Sequence, residues 1–127
     1  MERVEVRTQE ELDKALAKKG VVPTCVGNGI FVVSGSSRVE AYGSARVEAR
    51  DSALVEAYGS SRVKAYDSSR VTAHGSTSVT AFDNSRVTAY DRTRVTAHDN
   101  SRVEAYGSAE AEARDSALVE AYGSSRV

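Results

Sequence analysis

Tyrosine or histidine recurs every sixteen residues at Tyr42, Tyr58, His74, Tyr90, Tyr106 and Tyr122. A chain winding with that period brings the six rings into one ladder, a surface able to stack sugars or other planar ligands. Stacked aromatics also stabilise a sheet without any ligand, so the row is read first as structural and second as a candidate glycan-binding ladder. Arginine repeats in the same way, at Arg38, Arg70, Arg86 and Arg102 on one register and at Arg46, Arg62 and Arg94 on the other. Glu40, Glu56, Glu104 and Glu120, with Glu48 and Glu112, occupy the neighbouring outward rows, so a mutually neutralising surface is expected. Each exposed pair is worth less than ~1 kcal/mol. An anionic polymer would need the arginine rows without the glutamate rows.

Asp51, Asp67, Asp83, Asp99 and Asp115 form a further row where calcium or paired-carboxylate chemistry could sit. The Gly-Gly-x-Gly-x-Asp pattern of calcium-binding rolls is missing from it, and Asp followed by Ser or Asn is expected to form Asx turns. His74 and His98 fall on opposite registers and should not share a metal. Thr72 with Thr88, and Thr80 with Thr96, make short outward rows that β-propensity explains. No catalytic residue, metal or cofactor is expected.

The elements that position these rows follow from an eight-residue repeat. From Val39 the chain divides into eleven octads without an insertion as far as Arg126, and Phe31–Arg38 fits the frame as a degenerate first copy. The first position is Val except at Ala111, the third is always Ala, and the seventh is only Ala, Ser or Thr. Polar or long residues lie between them, the period of two expected of half-buried strands. The fifth position is only Gly or Asp, the residues best suited to a turn. Gly stands at 43, 59, 75, 107 and 123, with Asp91 the one departure, and the Asp row alternates with it. Two octads therefore make one lap. The spacing predicts an all-β fold, a parallel β-solenoid of about 16 residues per coil with about six coils, its rod roughly 29 Å long at ~4.8 Å per coil. A flattened two-sheet coil is preferred over a three-sided coil of three octads, and a four-sided one stays open.

Residues 1–30 are expected to form an N-terminal cap, with a strand over 3–7, a helix over 9–19 and a junction over 20–30, ahead of the solenoid over 31–127. Thr8 and Glu11 make a capping box, and Leu12, Ala15 and Leu16 an apolar stripe that can lie across the first coil. Gly20 suits the helix end. The C-terminal residues, down to Arg126 and Val127, show no comparable lid, and an open sheet edge invites pairing with another chain. The length of 127 residues suits one domain, and Val and Ala carry the apolar count, so the interior must be thin and regular. The formal net charge of −1 gives no field for nucleic acid. One cysteine, Cys25, excludes an internal disulfide, and no apolar run is long enough to span a bilayer. A soluble, cytoplasmic protein with no membrane partner is expected.

The first strand, the Thr8-Gln9-Glu10-Glu11-Leu12 helix start and the strands after it resemble the N-terminal cap of right-handed parallel β-helices of the pectate-lyase-like kind, over roughly the first thirty-three residues. The repeat resembles the Ser-x-Val-x-Ala-Tyr-Gly/Asp octapeptide arrays of bacterial and phage proteins, over residues 34–127. That resemblance implies a β-solenoid with no assigned activity. Right-handed winding is implied by the cap and by the handedness rule for parallel crossovers. The catalytic residues of lyases have no matching motif here. The expected function is a non-enzymatic structural or self-associating module, a spacer or filament former joined through its C-terminal edge. The alternative is a carbohydrate- or ligand-binding module using the Tyr/His ladder.

Overall fold

The computed structural model describes residues 2–18, 21–27 and 29–125. The chain opens with β1 (Glu2–Val6), α1 (Gln9–Leu16) and β2 (Val21–Cys25). Twelve four-residue strands follow: β3 (Ile30–Val33), β4 (Arg38–Ala41), β5 (Arg46–Ala49), β6 (Leu54–Ala57), β7 (Arg62–Ala65), β8 (Arg70–Ala73), β9 (Ser78–Ala81), β10 (Arg86–Ala89), β11 (Arg94–Ala97), β12 (Arg102–Ala105), β13 (Glu110–Ala113) and β14 (Leu118–Ala121). They form two parallel sheets, an eight-stranded one in the order β1-β2-β4-β6-β8-β10-β12-β14 and a six-stranded one of β3 and the odd strands after it. Paired residues lie sixteen apart, as in Val55↔Val71 and Val63↔Val79. The fold is a parallel β-solenoid of about seven turns.

Each octad divides into four strand and four turn residues. Position four, the tyrosine, begins the turn instead of ending the strand. The interior is as thin as the composition requires: Val at position one and Ala at position three are buried through nearly every coil. Position seven is buried as well, and there Ser61, Ser69, Thr77, Ser85, Thr93 and Ser101 are fully enclosed. Each of these hydroxyls donates to the carbonyl three residues back, as from Ser61 Oγ to the Tyr58 oxygen at 2.7 Å and from Thr93 Oγ1 to the Tyr90 oxygen at 2.7 Å. A small hydroxyl thus satisfies itself locally and is tolerated beside alanine.

The ladder between coils does not stop at the corners. Tyr58 N–H donates to the Ala41 carbonyl at 2.8 Å, Ser60 to Gly43 at 2.9 Å and Arg62 to Ala45 at 2.9 Å, so turn backbone pairs with turn backbone below. The fifth-position residue makes the bend in the left-handed region. Asp51, Asp67, Asp83, Asp91, Asp99 and Asp115 have φ between 57° and 60°. Only glycine, or a short polar residue such as Asp, enters that region cheaply, which is why the position admits nothing else.

The N-terminal region differs from expectation in two respects. The helix ends at Leu16, with Ala17 as its C-cap, three residues earlier than expected; Lys19 and Gly20 lie outside the described residues. The junction contains a full strand, β2, which joins the larger sheet between β1 and β4 and contributes to the additional turn. It falls outside the octad frame and carries Pro23, two features that hide it. Its pairing with β4 covers only Thr24↔Glu40 and Cys25↔Ala41, because Pro23 has no N–H to extend the ladder.

The helix packs on β1, β2 and β3. Thr8 accepts a hydrogen bond from Glu11 N–H at 3.2 Å, and Glu11 Oε1 accepts from Arg7 N–H at 2.8 Å, so the box closes one residue before the N-cap. Leu12 and Phe31 are fully buried and join Val6, Ala15, Cys25 and Val33 in the core, with Leu16 partly buried against it. Gly29 is required at this junction, since a Cβ there would lie 2.9 Å from the Arg7 carbonyl oxygen.

Candidate functional site

The sixteen-residue coil stacks the six expected rings. Centroids are 4.8 Å apart for Tyr42–Tyr58, 4.9 Å for Tyr58–His74 and His74–Tyr90, 5.2 Å for Tyr90–Tyr106 and 4.9 Å for Tyr106–Tyr122. Interplanar angles of 5° to 13° make these face-to-face stacks, so every interior ring has both faces covered by its neighbours. What the ladder presents laterally is ring edges and phenol oxygens. Stacking a sugar needs an open ring face.

A second ladder occupies the opposite turns and was not singled out from the sequence. Tyr66, Phe82 and His98 stack at 5.1 and 4.9 Å, and the Arg50 guanidinium lies 5.4 Å from the Tyr66 centroid. Its signal was available in the fourth positions of the alternate octads, which read Arg50, Tyr66, Phe82, His98 and Arg114. His74 and His98 belong to different ladders, as their registers require. Among the described residues no group of three or more His, Cys, Asp or Glu could hold a metal.

The glutamate rows do not neutralise the arginine rows as expected. Each position-two carboxylate that forms such a contact leans forward to position four. Tyr58 donates to Glu56 at 2.9 Å, Tyr106 to Glu104 at 2.9 Å and Tyr122 to Glu120 at 2.7 Å, with Tyr42 to Glu40 longer at 3.3 Å. On the smaller sheet Glu48 and Glu112 reach Arg50 and Arg114 at 3.6 Å. Side chains stand off a strand leaning along it, and position four is the partner on that side. Among the described residues, Arg94 is the one member of the arginine rows in an ion pair, with Glu110 in the next coil at 3.9 Å.

The same phenol contacts shift acidities. Burial first, then the bond to Glu56, pushes Tyr58 up to about 12. The bond to the Glu104 carboxylate is the main cause that pushes Tyr106 up to about 12, and the Glu120 bond raises Tyr122. Burial pushes the Cys25 thiol up to about 12, leaving little thiolate near neutrality.

The aspartate row also bonds differently from the expected Asx turns. Each Oδ2 accepts from the corner N–H of the coil beneath: Asp51 from Gly35 at 3.0 Å, Asp67 from Asp51 at 3.1 Å, Asp83 from Asp67 at 3.0 Å, Asp99 from Asp83 at 3.2 Å and Asp115 from Asp99 at 3.2 Å. Asp91, the exception in the glycine row, does the same to Gly75 at 2.9 Å. The carboxylate is a clamp between coils.

At the N-terminal end of the smaller sheet, Gln9 takes the place of a missing strand. Its Oε1 accepts from Val32 N–H at 2.7 Å and its Nε2 donates to the Val32 carbonyl at 3.0 Å, while Asp13 holds the amide at 2.9 Å. Of the association residues, Arg126 and Val127 lie outside the described residues. Among the described residues β14 ends the larger sheet, with Leu118 61% exposed and Ala121 exposed.

Comparison of the chain with protein-family models, curated proteins and solved structures returns no match. Neither the octapeptide-array nor the lyase-cap resemblance is joined by a related sequence or structure. The class that stands is a parallel β-solenoid with one N-terminal helix. Among the described residues no helix is long and apolar enough to cross a membrane.

Proposed function

We propose that this chain is a non-enzymatic structural module, a rigid spacer that also associates with a second copy through the β14 edge of its larger sheet. One observation supports it above others: the backbone ladder runs through strands and corners alike, and no strand pairs with the outer side of β14 among the described residues. A coil becomes stable when a neighbour completes its ladder, so this edge favours a parallel continuation. Further coils or a second chain would satisfy the same groups. The uninterrupted coils, with no inserted loop to wall a deep pocket, support a structural role over catalysis.

Leu118 and Tyr122 donate their N–H groups inward to the Ser101 and Ala105 carbonyls of the coil beneath, so Val119 and Ala121, alternating with them, turn theirs outward. Ala121→Pro removes an outward donor and leaves the bonds to β12 in place. Light scattering over a concentration series is expected to show association of the parent and its loss in Ala121→Pro, with unchanged circular dichroism. A parent that stays monomeric at high concentration overturns self-association, and an Ala121→Pro variant that associates equally well moves the contact elsewhere.

A further inference from the structure

The face of the larger sheet carries an arginine row that forms no ion pair among the described residues. Arg70, Arg86 and Arg102 stand in register on β8, β10 and β12, exposed and without an ion pair among the described residues. Leu54 and Leu118 bracket the three in the same row. In the adjacent row Thr72 and Thr88 stand where the flanking coils have Glu56 and Glu104. Those two glutamates are engaged by Tyr58 and Tyr106. The corner carboxylates of Asp67, Asp83 and Asp99, three residues before the arginines, accept hydrogen bonds from backbone N–H groups of the coil beneath at 3.1, 3.0 and 3.2 Å. A shallow groove of about 600 Å³ runs over this patch, lined by the three arginines and both threonines, with Glu104 and Glu120 at its C-terminal end.

Like charges in register between neighbouring strands are destabilising by themselves. An anionic chain lying along the rod relieves that repulsion, one charged group per guanidinium, by charge-assisted and bidentate hydrogen bonds. The spacing selects among such chains. The coils repeat at ~4.8 Å, whereas an extended acidic peptide presents same-side carboxylates only every ~6.8 Å. Single-stranded nucleic acid draws on open aromatic faces, and the rings here cover one another. A sugar chain has monomers comparable in length with one coil, and hydroxyls to meet the threonines. We propose that this face binds a linear acidic polysaccharide along the rod axis, its carboxylates or sulfates on Arg70, Arg86 and Arg102 and its hydroxyls on Thr72 and Thr88.

The test is calorimetric titration at low salt with polygalacturonate and with heparin, against oligodeoxythymidine and polyphosphate. The triple variant Arg70→Gln, Arg86→Gln, Arg102→Gln is expected to bind either polysaccharide at least tenfold more weakly. A triple variant on the other sheet, Arg46→Gln, Arg62→Gln, Arg94→Gln, removes equal charge and is expected to change binding less than twofold. Thr72→Glu with Thr88→Glu completes the acidic row, keeps every arginine, and is expected to weaken binding like the first triple, which protects the test against misfolding. Equal losses in the two triples, no binding of either polysaccharide, or tighter binding of oligodeoxythymidine or polyphosphate overturns the assignment. The solution mass of the chain has no bearing on these outcomes.

Discussion

At the residue scale, polar side chains in this molecule act mostly between coils. Asp83 supports a left-handed corner at φ 59° and clamps the Asp67 N–H beneath it at 3.0 Å. Asp83→Ala loses the clamp and places a Cβ-bearing residue without a polar side chain in that region, which costs about 1–2 kcal/mol for the backbone alone. Asp83→Gly loses the clamp but keeps the bend, so it should be the milder of the two in denaturant unfolding; equal losses would show that the corner conformation contributes nothing. The phenols lend themselves to a pH experiment. Tyr106, raised from 10.0 to about 12, keeps its bond to Glu104 complete below pH 10 and loses it as the pH climbs towards 12. Alkaline titration by ultraviolet absorbance should show a tyrosine ionising late, and Glu104→Gln should bring it earlier. The corner clamps were illegible in the sequence because an aspartate's type does not reveal whether it bonds its own turn or the one below.

At the element scale, the helix works as a lid with two distinct fastenings. Leu12 is fully buried and Leu16 half-buried against the first turn, and Gln9 presents an amide that imitates a strand to Val32. Leu12→Asp with Leu16→Asp should raise aggregation and expose Cys25, a thiol that is buried and free in the intact chain. Labelling by a thiol reagent is expected to be slow in the parent and at least tenfold faster in the double variant. A variant as soluble and as slow to label as the parent would remove the lid role. The capping box and the apolar stripe were legible because both are local patterns in consecutive residues. The Gln9 amide and β2 were not, since one depends on a strand 23 residues away and the other lies outside the repeat.

At the scale of the whole molecule, the solenoid is a one-dimensional stack whose units are interchangeable. Residues 64–79 form one lap, and their removal joins Val63 to Thr80 without breaking the octad frame. Nearest-neighbour energetics then predict a shorter, folded rod whose denaturant m-value falls by roughly one seventh, in proportion to the surface lost. Deleting residues 80–95 should give nearly the same change. A deletion that abolishes cooperative unfolding would mean that stability resides in particular coils. The two long faces differ at this scale in degree: among the described residues the larger sheet has three arginines without an ion pair in successive coils, Arg70, Arg86 and Arg102, whereas the smaller sheet has Arg46 and Arg62 so placed and pairs Arg94 with Glu110.

The lap of sixteen, the strands, the corners and the tyrosine row were determined by the amino-acid sequence alone, because each is a strict repeat and only one period satisfies all of them together. The tertiary structure decided which neighbour every polar group chooses: the coil below for the aspartates, the turn ahead for the glutamates, and a strand edge for Gln9. Those choices depend on the direction in which a side chain leaves its backbone and on what lies through space beside it. Neither quantity is written in the order of residues.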